Sequence, residues 1–329
     1  MTAAIARHRM LVEGDAVIVA FSGGPDSTAL LHLLWRMREA WRLRLSAVHV
    51  DHGLRPDAAQ DAEAAARFCA AWGVELVVRK LSKDALTSAA GLSLQMAARR
   101  ARYAIFSELA RAAGARVAIG HNADDQAETV LMRLIRGTGL RGLCGIPPVR
   151  GVFIRPLLGI PRAAIEAYCA RFALPVRHDP SNASDAYLRN RIRRRLIPLI
   201  EREYNPRFRA AANRLAALLQ ADDAFLSDAA AEAYRRVARR EPCGRWYLPE
   251  EVPFALAEEE SASGAADEPG AVFAVRLDAA ELAALPLALR RRVVLAALRE
   301  VGADAARLGV DAIDAVGALA AATPADDDP

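Results

Sequence analysis

Two short strings in the sequence gather chemically active residue types. The first is Ser22-Gly23-Gly24-Pro25-Asp26-Ser27, which follows the apolar run AVIVAF at 16–21 and precedes a helical pattern. Glycines at 23 and 24 permit positive φ and carry no side chains, so backbone N–H groups can converge on an anion. A helix with Pro25 in its first turn adds the partial positive charge of its N-terminus. Together these features favour a pyrophosphate or triphosphate. The plainer alternative is a strand-to-helix turn in which Asp26 and Ser27 only complement the helix dipole. Neither GxxxxGKS, GxxxxGKT nor GxGxxG is present at this loop, which sets aside the Walker and dinucleotide fingerprints.

The second string is GHNADDQAET at 120–129, where a strand end delivers His121 and a helix then presents Asp124, Asp125 and Glu128. Spacings of three and four residues place these carboxylates on one helical face. Such a cluster is destabilising until a cation offsets it, and the cations that suit it are Mg²⁺ or an ammonium group on a substrate. The plainer alternative is a solvated helix start, where acids are favourable anyway. A third segment, HVDHGLR at 49–55, has two histidines and an aspartate. Metal ligation needs convergent geometry that this spacing does not impose, so contacts at the edge of a nucleotide are the preferred reading. Near 95–103, Gln95, Arg99, Arg100 and Arg102 share a helix, with one or two expected to face phosphates.

These residues need a scaffold, and the hydrophobic pattern supplies one. Apolar or β-branched runs at 16–21, 43–50, 74–79 and 116–120 alternate with helical patterns at 27–39, 57–72, 92–113 and 123–136. Continuous apolar strands require cover on both faces, which argues for parallel pairing. The expected fold class is therefore α/β: an open, mainly parallel sheet with helices on both faces, followed by a smaller, mainly helical C-terminal region. Both strings then lie at carboxyl ends of strands, where open α/β sheets bind ligands. Gly137, Gly139, Gly142, Gly145, Pro147 and Pro148 mark a loop, after which FIRPL at 153–157 and a helix starting near Pro161 complete the domain. From 187 to about 240 the period is helical, with interruptions expected at Pro198 and at Asn205-Pro206. The expected domains are 1–205 and 206–329, the second with a flexible insertion near 256–270, a short strand at 271–277 and a disordered tail PADDDP.

Composition narrows the class further. With 53 % hydrophobic and 26 % charged residues the chain is globular, and no run approaches the ~18 apolar residues of a membrane span. The N-terminus lacks a secretory pattern, so the cytoplasm is the expected setting. Cys69, Cys144, Cys169 and Cys243 form no CxxC pair, and are expected to be reduced and mostly buried. The net charge of +4 is mild, but residues 187–214 hold nine arginines against two glutamates. That segment reads either as an amphipathic helix with a solvated arginine face or as a surface for nucleic-acid phosphates.

The loop SGGPDS resembles the PP-loop of the N-type ATP pyrophosphatases, which cleave ATP between the α and β phosphates. Four segments in order, SGGPDS, HVDHGLR, GHNADDQAETVLMRLIRGTGLRGLCGI and HDPSNASDAYLRNRIRRRLIPLI, with IRPLL at 154–158 between the last two, resemble the tRNA(Ile)-lysidine synthetase family over roughly 15–240. The resemblance implies adenylation of the wobble cytidine of an isoleucine tRNA with a CAU anticodon, then displacement of AMP by free L-lysine. It implies that Ser22, Gly23, Gly24, Pro25, Asp26 and Ser27 hold ATP, with Asp26 contacting Mg²⁺. It places His121, Asp125 and Glu128 around the cytidine and lysine, Arg102 at phosphate or adenylate, and Arg189, Asn190 and Arg191 near the tRNA. Arg194 and Arg195 are expected to contact backbone or to lie on the surface, and a homodimer is compatible. The region after 240 departs from the family, where many relatives carry further C-terminal modules. Rival readings are a PP-loop tRNA thiolase, disfavoured by the missing CxxC, a small-molecule adenylating synthetase, which would not need the 187–214 arginines, and a nucleotide-binding module without catalysis.

Overall fold

Strand β1 (Ala16–Ala20) is buried along its centre, and its side chains divide by parity. Val17 and Val19 enter one hydrophobic cluster with Leu30, Leu31 and Ile165, while Ile18 enters another with Val48, Phe106 and Val117. A strand apolar on both faces must lie inside a helix-covered sheet, and this one does. The computed structural model describes residues 1–51, 58–81, 94–177, 188–242, 273–303 and 309–319.

After α1 (Thr2–Arg7) the chain alternates β1, α2 (Pro25–Met37), β2 (Arg44–Asp51), α3 (Ala58–Ala71), β3 (Glu75–Lys80), α4 (Leu94–Ala113), β4 (Arg116–Ala118) and α5 (Ala123–Ile135). A short α6 (Leu140–Leu143) and the hairpin β5 (Val149–Arg150) and β6 (Phe153–Ile154) follow, then α7 (Arg162–Arg171), N-capped by Pro161. The sheet order is β3-β2-β1-β4-β6-β5, parallel except for β5 against β6. The chain winds outward from β1 through β2 and β3, then returns to place β4 on the other side of β1. The switch point between β1 and β4 leaves a crevice at their carboxyl ends, the usual ligand position in such sheets. The loops 21–24 and 119–122 both open there.

Helix α8 (Leu188–Arg191) continues through a π turn (Ile192–Leu196) into α9 (Ile197–Glu203). The interruption expected at Pro198 is present as this π turn rather than as a loop, with Pro198 in the first turn of α9. Proline has no N–H for the Arg194 carbonyl, and the preceding turn widens so that Ile197 N–H bonds Ile192 O. The break at Asn205-Pro206 is present, between α9 and α10 (Phe208–Val237).

The chain divides into compact units Met1–Gln220 and Ala221–Pro329. The first extends past the 205/206 boundary read from sequence because the start of α10 is tied to the sheet unit. Asn213 donates to Ala123 O at 3.0 Å, and Gln220 donates to Cys144 O at 2.7 Å. In the second unit, helix gives way to β7 (Ala238–Pro242) earlier than the helical period suggested. β7 pairs antiparallel with β8 (Phe273–Leu277), the expected short strand. Helices α11 (Ala279–Ala284), α12 (Leu287–Glu300) and α13 (Val310–Leu319) follow, with Val237, Leu282, Val293 and Val294 in a separate core. His52 to Arg55, residues 178–187, the insertion near 256–270, Cys243 and the tail lie outside the described residues.

Candidate active site

The loop after β1 is held by hydroxyls and backbone. Ser27 Oγ donates to Gly24 O at 3.1 Å and accepts from Ser22 N–H at 3.2 Å. Its single proton is thereby used, so Ser22 Oγ donates across the 3.1 Å contact between the two hydroxyls. Gly23 has φ +78°, which a side chain would strain, whereas Gly24 is extended at φ −74° as the N-cap of α2. Only one of the two glycines therefore uses the left-handed freedom expected of both. Pro25 opens α2, and the Cα of Gly120 sits so close that a Cβ there would lie 3.0 Å from the Asp26 carbonyl carbon.

The loop and the acidic helix meet directly. Asn122 N-caps α5, its Oδ1 accepting from Asp124 N–H at 2.9 Å and Asp125 N–H at 3.0 Å, while Asp125 Oδ2 accepts from Asn122 N–H. This reciprocal capping box leaves the Asn122 Nδ2 free to donate to Asp26 Oδ1 at 2.8 Å. Arg162 NH1 lies 3.4 Å from Asp26 Oδ2. Burial pushes the Asp26 carboxyl above its usual range, against the pull of Asn122 and Arg162. A carboxylate with a weakly engaged oxygen and a raised pKa suits a hard cation, and Mg²⁺ characteristically takes one or two carboxylates plus substrate phosphates. Asp26 therefore fits the metal contact. Among the described residues no group of three or more His, Cys, Asp or Glu is arranged to hold a metal by itself.

The acidic face of α5 is not open. Asp125 and Glu128 are buried, and two arginines from the 188–203 helical stretch cover them. Arg189 donates to Asp125 Oδ1 at 2.8 Å and to Glu128 Oε2 at 3.0 Å. Arg193 donates to the same Asp125 oxygen at 3.0 Å and to both Glu128 oxygens. Two cations thus balance two carboxylates. Arg193 was not singled out from sequence, although its i,i+4 spacing from Arg189 was the available signal. Arg191 is exposed and, two positions from each, is not brought to this cluster. Asp124 is engaged elsewhere, accepting from Arg162 N–H at 2.8 Å and pairing with Arg209.

Beside the loop is a cavity of about 220 Å³, lined by Ser22, Asp26, Val48, Arg102, Tyr103 and His121 among others. Arg102 lines this cavity, and its buried Nε has no hydrogen-bond partner. His121 is pushed down to about 3, chiefly by burial, with nearby guanidiniums adding and Asp125 opposing. It is therefore neutral at neutral pH and a weak base. His49 is a brace, its Nδ1 donating to Phe21 O at 3.0 Å between β2 and the loop after β1. Cys69, Cys144 and Cys169 are buried and unbridged, as expected for these three.

A family profile described as PP-loop domain matches residues 2–200, the region that carries both motifs. The chain belongs to the PP-loop family. It is 42 % identical over 315 residues to a tRNA(Ile)-lysidine synthase of Symbiobacterium thermophilum, covering 94 % of this chain and 60 % of that one. It is 43 % identical over 243 residues to the Geobacillus kaustophilus protein of the same name, covering 72 % of this chain and 52 % of that one. The chain spans between half and about three fifths of the length of such relatives. Among solved structures, the U34-tRNA thiolase NcsA from Methanococcus maripaludis, with its [4Fe-4S] cluster, matches at TM-score 0.55 and 23 % identity. That match covers 64 % of this chain and 74 % of that one and speaks to the fold. No described helix is long and apolar enough to cross a membrane.

Proposed function

We propose that this PP-loop protein ligates lysine to C2 of the wobble cytidine in a CAU-anticodon isoleucine tRNA, consuming ATP and producing lysidine, AMP and pyrophosphate. The observation that carries the reading is the Asn122–Asp26 hydrogen bond, which joins the phosphate loop and the acidic helix into one site at the sheet's switch point. Names and extents of the relatives point the same way.

In the first step the cytidine O2 attacks the α-phosphorus of ATP and the bond to the β-phosphate oxygen breaks. Loop 22–27 and the N-terminus of α2 cradle the phosphates through backbone N–H groups. Mg²⁺, held at Asp26, supplies neutralising charge to those phosphates when bound. Arg102 serves phosphate or adenylate from the cavity wall. In the second step the lysine Nε, once deprotonated, attacks C2; the C2–O bond breaks and AMP leaves. Asp125 and Glu128 are the carboxylates assigned to the lysine, and both are engaged by Arg189 and Arg193. An ammonium group gains them only as those guanidiniums turn toward substrate, which delivers two cations to the tRNA side. Arg189 and Asn190 serve the tRNA, and Arg191 lies on the outward side of that stretch as a backbone contact. The setting is cytoplasmic, and a homodimer is the compatible assembly.

The test is incorporation of radiolabelled lysine into an isoleucine tRNA transcript bearing CAU, with ATP and Mg²⁺. ATP-dependent label that is lost in Asp26→Ala and in Asp125→Ala is expected. Equal label in a methionine tRNA, or none in the native chain despite ATP binding, would refute the reading.

A further inference from the structure

Arg155 is the most deeply buried arginine among the described residues, with 3 % of its surface exposed, and no ion pair ties it to a carboxylate. A buried guanidinium without a counter-ion is costly to keep, so its other bonds matter. Its NH1 donates to Pro147 O at 2.8 Å, and its backbone N–H donates to Pro148 O at 3.0 Å, which anchors the head group against the turn before β5. Its Nε points at His121 Nδ1, 3.2 Å away.

Arginine has five donors and no acceptor, and it does not lose its proton. The imidazole nitrogen facing it must therefore carry a lone pair. A neutral imidazole has one N–H, which then has to be on Nε2. His121 lines the cavity beside Asp26, and its Nε2 has no hydrogen-bond partner among the described residues. We propose that Arg155 is a positioning residue: it locks His121 in the Nε2–H tautomer, so that the ring offers a hydrogen-bond donor to an acceptor oxygen or ring nitrogen of the substrate bound in the cavity. His121 is thus a donor to substrate and the proton acceptor for lysine is another group. The lowered His121 pKa agrees with this geometry, since burial and a neighbouring guanidinium both oppose imidazolium.

The kinetic half of the proposal rests on the ligase reading, whereas the tautomer is read on the free protein. Long-range ¹⁵N–¹H spectra of the ¹⁵N-histidine-labelled full chain, with His121 assigned by loss of its signals in His121→Asn, report which ring nitrogen is protonated. The expected result is Nε2 protonated and Nδ1 bare in the native chain at neutral pH. Arg155→Met should leave a mixture of tautomers and lower kcat about 10–100-fold with little change in KM for ATP, the size of effect seen when a group that orients another is removed. Arg155→Lys, which keeps a donor, should restore the tautomer and part of kcat. A protonated Nδ1 in the native chain overturns the proposal without any variant having to fold. An unchanged tautomer in Arg155→Met overturns the locking role, and a changed tautomer with unchanged kcat overturns the donor role.

Discussion

The loops leaving β1 and β4 lie side by side, yet they are built by different means. The phosphate loop is tied by neutral bonds, with Ser27 linking Ser22 and Gly24 and with Gly23 in the left-handed region. The start of α5 has a capping box in which the Asp125 carboxylate itself takes part, and its buried carboxylates are held by two arginines from sixty-odd residues downstream. The first arrangement is complete within six residues. The second is a four-charge cluster whose balance depends on a distant segment. A loop tied by neutral bonds can thus be built locally, whereas a buried carboxylate pair needs counter-ions that the fold brings from elsewhere.

The largest effect is expected at the arginines. Replacing both Arg189 and Arg193 by alanine leaves Glu128, only 2 % exposed, and Asp125 without counter-ions. About 3–5 kcal/mol of stability should be lost, measured by urea unfolding. A loss below about 1 kcal/mol would show that the cluster is solvated and unimportant to the fold.

The contact between the loops comes next. Gly120→Val puts a branched side chain against the Asp26 backbone, where even a Cβ meets the carbonyl carbon at 3.0 Å. Overpacking of this kind costs about 1–3 kcal/mol. ATP affinity should fall with stability, since the strain falls on the phosphate loop; calorimetric titration with ATP checks it.

His121 gives the start of α5 a pH dependence. Its pKa is lowered to about 3 in the folded chain, so between there and the unfolded value near 6.5 the unfolded chain binds more protons. The stability it contributes is full above about pH 6.5 and is lost as pH falls toward 3, by at most about 1.4 kcal/mol per pH unit. His121→Asn should flatten that limb in denaturant titrations across pH 4–7; His8 and His32, also lowered by burial, add slope of the same sign, and Asp26, raised by burial, adds slope of the opposite sign.

The smallest effect separates the two glycines. Gly23→Ala is strained at φ +78° and should cost about 1 kcal/mol, whereas Gly24→Ala meets Ser22 Oγ at 3.6 Å and Arg177 O at 4.0 Å, ordinary contacts, and should cost under about 0.5 kcal/mol. Thermal unfolding of the two variants side by side tests this.

The same contrast explains what could be read in advance. The β1-loop-α2 unit was legible because apolar strand, glycines, proline and helix are consecutive, and the carboxylates of α5 were legible from i,i+3 and i,i+4 spacing. Arg193 and Arg155 were not, since their partners are set by tertiary packing that no local period encodes. At Pro198 the place of the interruption was legible but its form was not: a π turn absorbs the missing N–H, and nothing in the composition marks such a turn. The edge hairpin β5–β6, with two residues in each strand, is too short to carry an alternating pattern.

Under the proposed function the loop activates cytidine and the acidic helix delivers lysine, within one site. Rapid-quench analysis of Asp125→Asn with α-labelled ATP, labelled lysine and the CAU isoleucine tRNA tests it most directly. Adenylated tRNA should form and accumulate while lysine transfer falls at least about 100-fold, the lower end of what an essential acid–base group contributes. Loss of both steps together in a variant that still folds and binds ATP, or lysine transfer at the native rate, would contradict it.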